Sequence, residues 1–397
     1  MPDTYDVAVI GLGAMGAATL YQLARQGGVS AIGLDRFSPP HTHGSSHGET
    51  RITREAVGEG RAYVPLVRRS HEIWRELEGV TGRQLLVACG CLIIGHRDAG
   101  HHHKPNFLKT TFELAREFEI AHEEVDALAI AERFPQFEAV QEDETGYFEP
   151  GAGSLRPNEC IEAQLGEAAR IGGKKFALKR KTRVSRITQH DNTVHIDTAN
   201  GPIEVARAVV SAGAWTANLL GAPYDRLLTV TRQVLYWFKP HDSALYSEER
   251  CPAFIRIWGC GDGEYFYGLP IPISSTGVSG VKIATEDLSA RVRPCDTNFE
   301  TSEQEQMDFF RRHLAQRVRG LQAPAVQVMP CLYTNTPDSD FIIDVHPYMP
   351  NVLVVSACSG HGFKHSAAIG ELAAKSVISS LVLEPFRLRT RSGWGAV

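Results

Sequence analysis

Three glycines and one acid near the N-terminus are spaced to hold a nucleotide. They are Gly11, Gly13 and Gly16 in Gly-Leu-Gly-Ala-Met-Gly, followed about twenty residues on by Asp35. Each has a separate job: Gly11 allows a tight turn, Gly13 leaves room for a pyrophosphate, and Gly16 lets a following helix lie close to the preceding strand. The start of that helix offers free N–H groups and the positive end of its dipole to the phosphates. An acid at the position of Asp35 accepts hydrogen bonds from ribose hydroxyls, which argues against a 2′-phosphate and so against NADP. The pattern is informative because a strand precedes it and a helix follows it. It marks a dinucleotide site without separating FAD from NAD.

Few other residues carry chemistry on spacing alone. The eight cysteines, Cys89, Cys91, Cys160, Cys251, Cys260, Cys295, Cys331 and Cys358, form no Cys-x-x-Cys unit. Neither a zinc site nor a disulfide framework is expected. His101-His102-His103 sits in a polar stretch beside Lys104-Pro105. Three consecutive histidines cannot all face one ion from regular structure, so a loop without metal is expected.

The elements that must position these residues follow from periodicity. Residues 5–10 are a short apolar run, which predicts a buried parallel strand, and residues 17–24 have helical spacing ended by Gly27-Gly28. Residues 29–34 complete a βαβ unit with Asp35 at its end. Helices are expected over 62–78, 106–119, 159–171, 301–318 and 365–382. Residues 183–210 alternate like antiparallel strands, with turns at Asp191-Asn192 and Asn200-Gly201. Residues 227–282 are strand-rich, and 352–356 form a second buried strand of the parallel kind.

Composition narrows the class further. The chain has 397 residues, too many for one ordinary core, and is 43% hydrophobic and 22% charged. A net charge of −5 does not suit a nucleic-acid partner. No apolar run is long enough for a membrane span, and no secretory signal pattern opens the chain, so a cytoplasmic protein is expected.

Beyond residue 40 a family resemblance emerges. Ser38-Pro-Pro-His-Thr-His-Gly44-Ser-Ser-His47-Gly-Glu-Thr-Arg51-Ile-Thr-Arg54 and then Gly58-Glu-Gly-Arg-Ala-Tyr63-Val-Pro-Leu66 resemble segments of the monomeric sarcosine oxidases and N-methyl amino acid oxidases. So do Ser211-Ala-Gly-Ala-Trp215, Cys331-Leu-Tyr333-Thr-Asn-Thr-Pro-Asp338 and Ser359-Gly360-His361-Gly362-Phe363-Lys364. The matches keep their order and span most of the chain. The resemblance implies a D-amino-acid-oxidase-like fold of mixed α/β (α+β) class. A Rossmann-like FAD-binding domain (1–85, 150–220, 325–390) would be interleaved with a mixed-sheet substrate domain (86–149, 221–324), leaving a tail at 391–397.

The resemblance also implies roles. FAD would be held by Gly11, Gly13, Gly16, Asp35, Gly360, His361, Gly362 and Phe363, and bonded covalently through Cys331. A cysteine thiolate is a suitable nucleophile for that bond, and Pro330 and Tyr333 around it suggest a fixed turn. His47 and Arg51 would lie against the flavin ring, where a cation stabilises negative charge. Lys282 would promote oxygen reduction. Arg54 and Lys364 would hold a substrate carboxylate, with Tyr267 and Tyr333 lining the amine pocket.

One position departs from the pattern. Where the sarcosine oxidases carry a histidine four residues after the lysine, this chain has Glu286, and the segment between Pro270 and Lys282 looks longer than theirs. Glu286 would alter substrate contacts, either repelling a carboxylate or meeting a cationic or hydroxylated group. The expected activity is oxidation of a secondary amine, an N-methyl amino acid or a cyclic imino acid to an imine, with O2 reduced to H2O2, by a monomer. The alternatives are a flavin dehydrogenase passing electrons to another acceptor, an NAD-dependent dehydrogenase, and a non-catalytic flavoprotein.

Overall fold

The computed structural model describes residues 4–101, 104–259, 263–273, 280–295, 300–379 and 384–388. Cys260, His102, His103, residues 274–279 of the segment before Lys282, and the tail 391–397 lie outside them.

The N-terminal strand β1 (Thr4–Ile10), helix α1 (Ala14–Gln26) and strand β2 (Ala31–Leu34) form the expected βαβ unit. β1 runs parallel to β2 on one side and to Gly201–Val210 on the other. A strand with neighbours on both sides and helices over its faces reads as a continuous apolar run; Val7, Ala8, Val9 and Ile10 are all buried. The full sheet has eight strands, in the order Val184–His190, Thr193–Thr198, Gly201–Val210, β1, β2, Phe176–Lys179. The returning strand Met349–Ser356 also pairs parallel to Gly201–Val210, and Ile342–His346 pairs with it in turn.

A second sheet also has eight strands. Its order is Leu321–Asn335, Thr229–Pro240, Val281–Ala284, Tyr265–Leu269, Ala253–Ile257, Cys91–His96, Glu144–Glu149, Glu123–Asp126. The fifteen-residue strand Leu321–Asn335 contains Pro324 and Pro330. Proline cannot complete a ladder on both sides, and this strand is at the sheet's edge, bonded only to Thr229–Pro240. The turn expected at Cys331 is therefore not formed: Cys331 lies within the strand, opposite Gln233. A small third sheet joins Arg51–Thr53, Gly153–Leu155 and Leu86–Val87.

Helix bounds shift modestly from expectation, to Val64–Thr81, Phe107–Glu117 and Pro157–Gly172. The segment expected as one helix over 301–318 is a short α-helix, Glu303–Phe309, continued by a π turn, Phe310–Leu314. Ser302 caps it by accepting from Glu305 N–H. The last helix, Ser366–Ser379, packs on α1 with no room to spare: a Cβ on Gly370 would meet Ala18 Cβ at 2.4 Å.

Candidate active site

The glycine turn is built by close backbone approach. Gly11 has φ +88°, in the region glycine favours. A Cβ on Gly16 would meet Gly11 O at 1.8 Å, so α1 can begin this close to β1 only without one. Ser46 Oγ accepts from Ala14 N–H at 3.1 Å beside the free start of α1. Asp35 is 6% exposed and accepts from Leu12 N–H and Phe37 N–H, both at 2.7 Å. Burial pushes its acid range up, but the His41 ring and those two N–H groups outweigh burial and hold it below the usual range. An ionised Asp35 keeps lone pairs to spare for ribose hydroxyls.

A cavity of about 470 Å³ opens from this turn. It is lined at one end by Gly11, Gly13 and Asp35 and further along by Gly360, His361, Gly362 and Phe363. The second stretch repeats the logic of the first: Gly360 has φ +79°, and a Cβ on Gly362 would meet Ala357 O at 1.8 Å. Two tight glycine turns on one cavity, the first with a helix start and a buried acid, fit a dinucleotide such as FAD.

The same cavity continues between the two sheets, where Arg51, Arg54, Glu59, His101, Tyr267, Lys282, Glu286, Tyr333 and Lys364 line it. Arg51 donates to the carbonyls of Thr50 and Ser45, each at 2.9 Å. Lys282, on the strand Val281–Ala284, is 2% exposed and donates to Thr50 O. Burial pulls its ammonium well below the ordinary range, and neighbouring Arg51 adds to that. His47 and Cys331 do not line the cavity. His47 is 1% exposed with Nδ1 2.9 Å from Met329 Sδ, and burial with Arg51 and Lys282 lowers it to about 3. His47 is thus neutral, and the fixed cation beside it is Arg51. Cys331 packs with Leu235, Trp237, Ala284 and Tyr333, and burial pushes its thiol up to about 11 against the pull of Arg51.

Arg54 and Lys364 meet through a residue not assigned from sequence. Glu59 accepts from Arg54 at 3.0 Å and from Lys364 at 2.7 Å, although Lys364 lies 305 residues away. Arg54 is held over the Phe107 ring at 5.3 Å. Buried Glu149 fixes the adjoining chain by accepting from Glu55 N–H at 2.6 Å and Ala56 N–H at 3.2 Å. Lys364 also donates to His361 O at 3.0 Å; burial lowers it to about 8, opposed by Glu59. Two cations share one carboxylate here, which leaves one positive charge for an incoming anion. Tyr267 and Tyr333 share a hydrogen bond of 3.1 Å between their hydroxyls. Glu286 points into the same space, 6% exposed, with Tyr265 donating to it at 2.8 Å.

His101 is the second residue that sequence reading passed over. It is 4% exposed rather than in an open polar loop, and its ring lies 4.1 Å from that of Tyr265. Reciprocal backbone hydrogen bonds with Lys104 close the turn that carries it. Glu59 carried a local signal, a carboxylate between Gly58 and Gly60 where a Cβ on Gly58 would meet Phe107 O at 2.5 Å. His101 carried none.

The chain is similar to known proteins along nearly its whole length. The family model described as FAD dependent oxidoreductase matches residues 6–376. Monomeric sarcosine oxidase of a Bacillus species is 36% identical over 385 residues, covering 96% of this chain and 93% of its own. N-methyl-L-tryptophan oxidase of Salmonella heidelberg is 33% identical, covering 97% of this chain and 98% of its own. Among solved structures, NikD, described as an unusual amino acid oxidase essential for nikkomycin biosynthesis, superposes with a TM-score of 0.80. It shares 20% identity over 96% of this chain and 95% of its own, a likeness of fold. The family match removes the nicotinamide alternative.

Proposed function

The chain belongs to the FAD-dependent oxidoreductase family, and from that premise we propose that it oxidises a secondary α-amino acid, N-methylated or cyclic, to the imine. The observation that carries this reading is the buried trio Arg54, Glu59 and Lys364 on the same cavity as the glycine turns. Its excess positive charge suits one carboxylate, and a carboxylate clamp beside a flavin fixes which C–N bond is presented. The curated relatives named above support an N-methyl amino acid as the class of substrate.

Bound FAD supplies the two-electron redox chemistry. The chain's own residues bind, orient and set charge. Arg54 and Lys364 hold the carboxylate, and Tyr267 with Tyr333 bounds the amine. Arg51 places a fixed cation on the flavin side. Lys282, buried and close to Arg51, favours electron transfer to dioxygen because negative charge develops there, so H2O2 is the expected second product. Cys331 is the proposed attachment point for the flavin. The resemblance of its segment supports that assignment; Arg51 and Lys282 only partly offset the burial that raises its thiol to about 11, and Cys331 packs against the lining residue Tyr333. We further propose that the two sheets mark two interleaved domains, divided near residues 85, 150 and 220 as expected, with the last division at about 335 and not 325 because Leu321–Asn335 belongs to the second sheet, and that the protein acts as a monomer, as the name of its sarcosine-oxidising relative states of that enzyme.

The test is a panel of N-methyl, cyclic and primary amino acids added to the purified yellow protein without air. Bleaching of the flavin by secondary amino acids, followed by stoichiometric peroxide on admitting air, is expected. A flavin that no amine bleaches would overturn the reading, and bleaching without peroxide would favour the dehydrogenase. Acid precipitation of the same sample should leave the yellow colour in the pellet; colour in the supernatant rules out the bond to Cys331.

A further inference from the structure

We propose that Glu286 accepts the proton that the substrate's ammonium must lose before its C–N bond can be oxidised. The inference rests on the substrate reading above and goes beyond it by assigning a catalytic group.

The argument begins with charge. An alkylammonium titrates near ~10, so a secondary amino acid reaches the cavity at neutral pH as a zwitterion. Oxidation at the carbon needs the nitrogen lone pair, so one proton has to leave. Arg54, Lys364 and Glu59 together carry one positive charge, and an ionised Glu286 on the same cavity cancels it. A zwitterion therefore meets four groups, Arg54, Glu59, Lys364 and Glu286, whose charges sum to zero, with Arg51 and Lys282 assigned to the flavin. Its carboxylate takes the excess charge of the clamp. Its ammonium then gives a proton to Glu286: the N–H bond breaks, an O–H bond forms on the carboxyl, and the electron pair stays on nitrogen. The final arrangement has a neutral amine and a neutral Glu286, with the substrate carboxylate paired by the excess charge of the clamp. No proton needs to cross from solvent.

The surroundings of Glu286 suit this task. Tyr265, on the strand Tyr265–Leu269, donates to it at 2.8 Å and holds it in place. Burial raises its acid range, while the charges of His101 and His361 pull it back and that of Glu59 pushes it up. Lys364 lies within electrostatic reach, as do Tyr267 and Tyr333 on the cavity wall and Cys331 behind it. A carboxyl whose acid range burial has raised is a more effective proton acceptor for an amine than an exposed one. The tyrosine hydroxyls stay protonated because burial raises both well above their ordinary value, which leaves the carboxylate as the acceptor. The position is also where the chain departs from the sarcosine-oxidase pattern, which places a histidine there.

Anaerobic stopped-flow reduction of the flavin in the holoenzyme by one N-methyl amino acid, read from pH 6.5 to 10, tests the proposal. In the wild type the ratio of reduction rate to dissociation constant should be flat across the middle of that range. In Glu286→Gln it should rise about tenfold per pH unit toward the pKa of the amine, because only the neutral form then reacts. Glu286→Asp should restore most of the flat region. A carboxylate ligand without an amine, followed by its perturbation of the flavin spectrum, should bind several-fold more tightly to Glu286→Gln at pH 8, since a negative neighbour is removed. The yellow colour of each variant reports an intact site. A Glu286→Gln enzyme that is reduced with the wild-type pH profile overturns the inference and leaves the substrate reading standing. A wild type bleached by no amino acid overturns both.

Discussion

In the proposed reading single side chains divide the cavity into a flavin side and a substrate side, and the division rests on how each charge is compensated. Lys282 has no carboxylate bonded to it among the described residues; it leans on Thr50 O and lies 5.8 Å from the centre of the Trp237 ring. A lysine buried in this way is costly to stability, and such perturbed groups cluster at functional sites. Replacing it as Lys282→Met conserves length and removes the charge. Reoxidation of the reduced flavin by air should slow by a factor of a hundred or more, from about 3 kcal/mol of lost stabilisation, while reduction by substrate should change less than tenfold. Stopped-flow measurement of the two half-reactions separates them; equal slowing of both would place Lys282 in general positioning instead. Arg54 and Lys364 behave differently, since Glu59 already compensates them and removal of either should weaken carboxylate binding first.

At the scale of elements, the glycines separate those that pack from those that merely interrupt. Gly16 lies in α1 and Gly166 in the helix Pro157–Gly172. Alanine favours a helix over glycine by up to about 1 kcal/mol, so both substitutions would stabilise if nothing else changed. A Cβ on Gly166 meets nothing within 4 Å, whereas one on Gly16 meets Gly11 O at 1.8 Å and Ser211 Oγ at 2.7 Å. Backbone cannot yield as a flexible side chain can, and overpacking costs roughly 1–3 kcal/mol. Gly166→Ala should raise the thermal midpoint by a degree or two with full flavin content. Gly16→Ala should lower it and yield protein with reduced flavin content, measured by the ratio of visible to ultraviolet absorbance. Equal behaviour of the two would show that Gly16 is not a packing residue.

This contrast also explains what the sequence revealed. The βαβ unit was legible because its signals are local: an apolar strand, three glycines and an acid within thirty-five residues. The segments holding Arg54, Lys282 and Lys364 were legible through family resemblance. The meeting of Glu59 with Lys364 was not, since it depends on tertiary closure across 305 residues. Nor was the path of Leu321–Asn335, because two prolines disguise a strand whose edge position tolerates them. His101 resembled solvent-exposed polar chain until the packing of Tyr265 and Phe107 enclosed it.

The whole molecule carries a liability in acid that follows from its buried rings. His47, His313 and His365 are each held neutral, chiefly by burial. A histidine whose pKa is depressed on folding contributes its full stability above the unfolded value of ~6.5 and loses it as pH falls toward the folded value, because the unfolded chain takes up the proton first. Buried acids with raised values, Glu149 and Glu286, act in the opposite sense over part of that window, so the sum over all groups does not isolate either effect. His313 does, because it sits apart from the cavity in the turn Phe310–Leu314, 4.9 Å from the Phe309 ring and 5.9 Å from Trp258. Its Nδ1 has no hydrogen-bond partner among the described residues, and burial with nearby Arg312 and Arg317 lowers it to about 4. A shift from 6.5 to about 4 corresponds to roughly 3 kcal/mol across that interval. His313→Gln, which cannot take up the proton, should cost stability at pH 7 through lost ring packing. The wild type should then lose its advantage progressively between pH 6.5 and 4, so that the two thermal midpoints converge or cross. Midpoints that keep a constant separation through that range would mean that His313 is protonated in the folded protein, and that the second sheet's packing around Trp258 admits more water than the buried ring implies.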